Sequence, residues 1–410
     1  MTMNLPDVAV VLIALVTAVL ISFITTPVVK MLAEKVGAVD VPKDNRRMHK
    51  HPIPRMGGLA IFLGFILSAL LFIPLSESIR GMLLGGVIIV ILGILDDIYA
   101  LPALPKLIVQ IVAALIAVMH GNVIQVISNP NVFSDNPYWV LGAWAIPVSV
   151  IWIVAITNAV NLIDGLDGLA VGVATISSFT MLVIAMLVSD STVALLMAAL
   201  AGGCVGFLPY NSNPAKIFMG DTGSTFLGFV LATVSIQGLF KFYTIISFAV
   251  PFLMLGLPLF DTCFAIIRRI SKGQNPMSPD RSHVHHRLID MGFNQKQAVA
   301  ILYVISAILG LSAVVLTTSG ALKAMMLLCA LCLAWGIAAK ISISHNEEHF
   351  HTDDEAKGEK KDEIKTDTKD ETEGKEAERH AAESHDDLRD PPGGGEDGTS
   401  GEGAGEQTVD

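Results

Sequence analysis

Charge is scarce in this sequence. Asp, Glu, Lys and Arg make up 16% of its 410 residues, where a soluble domain carries about 25%. With 52% hydrophobic residues, that scarcity excludes an ordinary water-soluble fold and points to an integral membrane protein. Cysteine is nearly missing. The four present, Cys204, Cys263, Cys329 and Cys332, all lie in apolar segments, so no disulfide framework is implied. Cys329 and Cys332 have the spacing of a redox pair but lack the strand and helix that such a pair needs around it. Two signatures are also absent. There is no Gly-rich lysine loop for a nucleoside triphosphate and no dinucleotide fingerprint. Neither ATP-driven pumping nor nicotinamide chemistry has support, and nucleic acid is not expected as a partner. No basic stretch precedes the first apolar run, and that run is long. It is read as a retained span, not a cleaved signal.

What is present is a series of apolar runs of roughly twenty residues, the length a helix needs to cross hydrocarbon. Eleven such spans are expected, near 6–27, 57–74, 81–97, 106–121, 138–157, 168–188, 192–210, 223–240, 244–267, 297–318 and 321–341. The net charge of −11 conceals two materials. Residues 342–410 hold 8 Lys and Arg against 23 Asp and Glu, whereas residues 1–341 hold 19 against 15. The stretch 346–410 has almost no large apolar residues and cannot bury enough surface to fold. The expected organisation is a polytopic all-α transmembrane domain over 1–345 and a disordered acidic tail over 346–410.

Lys and Arg fall unevenly between the spans. The odd-numbered loops carry fifteen and the even-numbered loops two, Arg80 and Lys241. Cytoplasmic loops hold the excess of basic residues. The odd loops are therefore expected in the cytoplasm, with the N-terminus outside and the C-terminus inside. Five polar clusters interrupt the apolar chain, and all five sit in odd loops. They should share one cytoplasmic face, where nucleotide-activated metabolites are available. Carboxylates are costly near lipid and are rarely left there without a role.

Each cluster suggests chemistry. Asp96 and Asp97 sit where the third span reaches the cytoplasm, followed by Lys106, a natural phosphate contact. The two carboxylates suit a Mg2+ ion or a proton taken from a phosphate nucleophile. Asn158, Asn161, Asp164 and Asp167 recur every third residue, which on a helix keeps neighbouring members close together. Gly165 and Gly168 mark a bend or the close approach of a ligand. Asp221 follows Gly220 ahead of an apolar run, as a helix cap or as a metal ligand. Mg2+ prefers few protein oxygens and keeps positions for phosphate. His283, His285, His286 and Arg287 form a basic group without a nearby cysteine, which suits an oxyanion better than zinc. Asp261 and Arg268 share one face of the ninth span, either as a structural charge pair or as part of the site.

Read in order, these clusters resemble the polyprenyl-phosphate N-acetylhexosamine-1-phosphate transferases, glycosyltransferase family 4. The resemblance covers roughly residues 5–341. It is carried by Pro52-Ile53-Pro54-Arg55-Met56-Gly57-Gly58, Asp96-Asp97, Asn158 to Gly168, Phe218-Met219-Gly220-Asp221 and His283-Val284-His285-His286-Arg287. It implies a bundle of ten or eleven helices with a cytoplasmic site that depends on Mg2+, with Mn2+ as a substitute. By that analogy Asp221 and Asn161 would hold the metal. Asp96 and Asp97 would orient or deprotonate the lipid phosphate, with Asp164 and His285 beside them as catalytic residues. Asp167 would contact the uracil side. Lys106, His285, His286 and Arg287 would hold phosphates, and Asn158, His283 and Arg55 would complete substrate binding.

Branches of that family differ in the histidine motif. The branch that transfers phospho-N-acetylmuramoyl-pentapeptide usually shows three consecutive histidines followed by Phe-Glu. This sequence has His283-Val284-His285-His286-Arg287-Leu288, and also Pro258-Leu259-Phe260-Asp261 and Arg268-Arg269, which resemble the N-acetylglucosamine branch. The expected reaction is transfer of N-acetylglucosamine 1-phosphate from UDP-N-acetylglucosamine to undecaprenyl phosphate, releasing UMP. It would be the first membrane step of teichoic acid, O-antigen or a related envelope glycan in a bacterium. The pentapeptide transferase, a cation-coupled transporter and a scaffold recruited through the acidic tail are the other readings. A transporter should carry its acids near the bilayer midplane on inverted repeats, and neither is visible here. A homodimer is left open.

Overall fold

In hydrocarbon a backbone must satisfy its polar groups within its own segment, so each apolar run folds as a helix. The chain begins with α1 (Leu5–Val36), and a short antiparallel ribbon pairs β1 (Val39–Asp40) with β2 (Ile53–Pro54). α2 (Gly58–Phe72), α3 (Glu77–Tyr99) and α4 (Ala103–Met119) follow. A second ribbon, β3 (Val126–Ser128) against β4 (Tyr138–Val140), precedes α5 (Ala145–Leu162), α6 (Leu169–Leu187), α7 (Ser191–Asn211) and α8 (Gly220–Gly238). The last helices are α9 (Ala249–Met254), α10 (Gly256–Ser271), α11 (Val284–Asp290) and α12 (Gln295–Thr318). This computed structural model describes residues 5–42, 51–129, 136, 138–238, 249–271, 273 and 283–318.

Helices α1, α3, α5, α6, α7 and α12 are long and apolar enough to cross a membrane, and α2 and α4 are shorter apolar helices. The protein is an all-α integral membrane protein. Every expected span through 297–318 carries helix. The span at 321–341, the cysteines Cys329 and Cys332, and the tail at 346–410 lie outside the described residues. The ninth span differs from expectation. The apolar run at 244–267 holds two helices, α9 and α10, that meet at Leu255 and Gly256. Of the two roles open to Asp261, its contacts are those with the histidine segment.

The interior centres on α7 and α8. Every residue of α8 except Asp221 is buried, enclosed by α2, α3 and α5. α1 packs on α7 and α2 and leaves Leu12, Val16, Leu20 and Ile24 exposed, the surface expected of a lipid-facing helix. Small residues permit the close packing of α1 on α7. A Cβ at Gly206 would meet the Val19 carbonyl oxygen. The Ser22 hydroxyl donates to the Gly203 carbonyl at 2.8 Å across the same contact. The central helix is thus fixed on all sides but one end, and that end carries Asp221.

Candidate active site

Two glycine-rich turns begin the site. Gly57 N–H donates to Phe218 O at 2.9 Å, Gly58 N–H to Met219 O at 2.8 Å and Phe218 N–H to Pro54 O at 2.8 Å. These bonds join the entry to α2 with the entry to α8. Gly220 has φ +72, a left-handed conformation open to glycine. It turns the chain so that α8 starts beside the end of α3. Arg55 is thereby brought to 3.4 Å from Asp97.

Four helix ends then place one polar cluster. Asp221, at the start of α8, has Oδ1 at 2.7 Å from Asn161 Nδ2 on α5 and Oδ2 at 3.5 Å from Lys106 Nζ on α4. Asn161 Nδ2 also donates to Ser224 Oγ at 2.8 Å. Lys106 makes its shorter contact, 2.7 Å, with Asp96 Oδ2 at the end of α3. Asp96 Oδ1 accepts from Leu101 N–H at 2.7 Å. Asp97 faces the other way, onto Asp221 N–H at 2.9 Å and Thr222 N–H at 3.1 Å. Lys106 and Asp221 keep 29% and 24% of their side chains exposed, while Asp96 keeps 4%. The cation and the α8 carboxylate are therefore the parts of this cluster that a ligand reaches most readily.

A cavity of about 900 Å³ lies alongside. Arg55, Asp164, Asp167 and His286 line it, together with Lys30 and Lys216. Asp167 is held by the turn after α7, where its Oδ2 accepts from Asn213 Nδ2 at 2.9 Å and Ala215 N–H at 3.0 Å. Asp164 accepts no hydrogen bond from any described residue. Burial, reinforced by the negative charge of Asp221, pushes its carboxyl up to about 7. A cation placed here would relieve that cost.

The regular spacing of Asn158, Asn161, Asp164 and Asp167 is only partly helical. α5 ends at Leu162, so the two acids lie in the turn before α6. That turn brings both to the cavity. Asn158 points instead to Gln110 on α4, with its Nδ2 at 2.7 Å from Gln110 Oε1.

The histidine segment is anchored from α10. Asp261 Oδ2 lies 2.9 Å from His283 Nδ1, and Asp261 Oδ1 accepts Val284 N–H at 2.9 Å. The rings of His283 and His285 stack with centroids 5.8 Å apart. His285 Nε2 presses on Gly165, where a Cβ would collide with it. Burial holds the His285 imidazole down at about 4, helped by the neighbouring His286. It is therefore neutral at pH 7. Of this segment's candidate residues, His286 lines the cavity, whereas His283, His285 and Arg287 do not.

All five polar clusters thus meet at one end of the bundle. Sequence reasoning missed Lys30, Lys216, Asn213 and Gln295 in the cavity wall, the Gln110 partner of Asn158 and the anchoring by Asp261. Asn213 and Gln295 hydrogen-bond at 2.6 Å across 82 positions, a pairing with no local signal. Among the described residues, no group of three or more His, Cys, Asp and Glu is placed to hold a metal ion.

Residues 79–239, which contribute most of this end of the bundle, match the family described as glycosyl transferase family 4. A Bacillus subtilis (strain 168) protein named "Probable undecaprenyl-phosphate N-acetylglucosaminyl 1-phosphate transferase" is 41% identical over 82% of this chain and 94% of its own length. The chain belongs to glycosyl transferase family 4. The decaprenyl-phosphate N-acetylglucosaminephosphotransferase of Mycobacterium tuberculosis (strain ATCC 25618 / H37Rv) is 35% identical, covering 70% of this chain and 78% of that protein. An undecaprenyl-phosphate alpha-N-acetylglucosaminyl 1-phosphate transferase of Thermotoga maritima is 34% identical over 65% and 78%. With its apolar helices, this family 4 transferase is a bacterial integral membrane protein.

Proposed function

We propose that this transferase moves N-acetylglucosamine 1-phosphate from UDP-N-acetylglucosamine to undecaprenyl phosphate at the cytoplasmic face of the membrane. A phosphate oxygen of the lipid attacks the sugar-bearing β-phosphorus of the nucleotide sugar. The phosphorus–oxygen bond to UMP breaks, UMP leaves, and a lipid-linked sugar pyrophosphate remains. The relatives' names, all for N-acetylglucosamine 1-phosphate transfer to a polyprenyl phosphate, favour this over the pentapeptide reaction. The observation that carries the reading is the partly exposed Lys106–Asp221 pair beside a cavity of about 900 Å³ lined by Arg55 and two lysines.

Phosphoryl transfer asks mainly for positioning and for charge stabilisation. Arg55, Lys30 and Lys216 supply positive charge along the cavity wall for a nucleoside diphosphate. Asp167, fixed by Asn213, meets the uracil side. Lys106, held by Asp96, receives the lipid phosphate, which is already largely ionised at pH 7 and needs a positioner more than a base. His286 contacts phosphate from the opposite wall. The donors suit Mg2+. Asp221 presents a partly exposed carboxylate, the Asn161 side-chain Oδ1 meets no donor among the described residues, and Asp164 stands nearby without a hydrogen bond among them. When bound there, Mg2+ would offset the negative charge of the diphosphate.

The deciding assay offers the purified protein undecaprenyl phosphate, Mg2+ and a panel of UDP-sugars, and measures UMP. UDP-N-acetylglucosamine should give the fastest release. Release from another sugar alone, or none without an ion gradient, would defeat the reading.

A further inference from the structure

Asp96 and Asp97 are adjacent in sequence but do different work. The Asp97 side chain has no exposed surface. An ionised carboxylate offers about four lone-pair sites, and at Asp97 three hydrogen bonds and one ion pair surround them. Asp221 N–H at 2.9 Å and Arg55 Nε at 3.4 Å meet Oδ1, while Thr222 N–H at 3.1 Å and Thr222 Oγ1 at 2.7 Å meet Oδ2. Fully buried and turned to the first turn of α8, the carboxylate presents neither oxygen to the open side of the site. Asp96 is different, since Leu101 N–H and Lys106 Nζ take one site on each oxygen.

The arrangement is built in on both sides. The first N–H groups of a helix have no partner within it, and at α8 a carboxylate from α3 supplies that partner. A Cβ at Gly220 would strike the Asp97 carboxylate, and one at Gly93 would strike the Thr222 backbone.

We propose that Asp97 is a positioning residue: it holds the first turn of α8 in place, so that the Asp221 carboxylate faces Asn161 and Lys106, and it does not touch substrate. This rests on reading Asp221 as a metal-holding residue. The experiment is therefore arranged so that the two ideas fail separately.

Full-length protein in detergent is titrated with Mn2+, free Mn2+ being read by electron paramagnetic resonance without substrate. Asp221→Asn should weaken binding. Asp97→Asn should weaken it about 10- to 100-fold, the usual cost of losing an outer partner of a ligand. Thr222→Val should shift it the same way by less, and the double variant should be no worse than Asp97→Asn alone, because the two residues share one interaction. Amide exchange at Asp221 and Thr222 should quicken in Asp97→Asn. The pH profile of kcat/KM should keep its shape at reduced height. If Asp221→Asn leaves Mn2+ affinity unchanged, the metal reading fails, and exchange and the pH profile still judge Asp97. Unchanged amide exchange in Asp97→Asn, or loss of the acid limb of its pH profile, would overturn the proposal. Should Asp97→Asn not fold, Thr222→Val carries the same exchange measurement, and wild-type exchange there overturns it equally.

Discussion

Asp221 is the sole residue of α8 that is not buried. A carboxylate at the exposed tip of an otherwise enclosed helix costs little to alter structurally and much to lose chemically. Asp221→Asn should leave the protein folded and inserted while UMP release falls at least about 100-fold, the order expected when charge stabilisation of a transition state is removed. Turnover near wild type at ordinary Mg2+ would take Asp221 out of the site.

His285 gives a different test. Its folded imidazole titrates at about 4, against 6.5 for the free group. The unfolded chain therefore binds a proton that the folded protein refuses. Stability contributed by the neutral ring is present above pH 6.5 and is lost as pH falls toward 4, by up to about 3 kcal/mol. The midpoint of thermal unfolding should drop over that window in the wild type and fall less in His285→Gln. Parallel curves would show that the ring titrates normally.

Between elements, the clearest dependence is that of α11 on α10. Asp261 holds both the His283 ring and the first N–H of α11, and α11 carries His286 to the cavity. Asp261→Ala should accelerate deuterium exchange over 283–290 and raise KM for the nucleotide sugar. Asp261→Asn keeps an acceptor and should do so less. Equal exchange in wild type and Asp261→Ala would mean that α11 is held by other contacts.

Such dependences explain what could be read in advance. Hydropathy located the helices because lipid imposes one solution on a long apolar run. The alternation of spans brought the five clusters together, since successive odd loops return to the same end. The division of 244–267 into α9 and α10 falls beside Gly256 and Pro258, which leave the hydropathy of the run almost unchanged. The contacts of Asp97 and Asp261 were not legible for another reason: their partners lie 124 and 22 positions away. A carboxylate that caps a distant helix has the same sequence appearance as one that meets a substrate.

For the protein in its membrane, sidedness is the assumption most open to test. On the count of basic residues we propose that Asp96, Asp164, Asp221 and His285 face the cytoplasm and the loop at 122–137 the outside. With the four native cysteines replaced, Ser134→Cys should react with an impermeant thiol reagent on intact cells, and Ser282→Cys only after the cells are opened. Labelling of both from outside, or the reverse pattern, would remove the common face on which the transfer depends. The segment 346–410 has almost no large apolar residues. Truncation near Ser344 should retain most UMP release in detergent, and a folded but inactive truncation would give the tail a part in the reaction.

The cap on α8 also imposes an order in time. Asp97 leaves the ribosome 124 residues before the N–H it will bind. At roughly 5–20 residues per second, that carboxylate waits on the order of ten seconds for its partner. Until then the Asp97 carboxylate lacks the helix N–H groups that it meets in the folded protein. The site closes only when the eighth helix arrives, and a nascent chain that stalls before it has every span of its first half and no active centre.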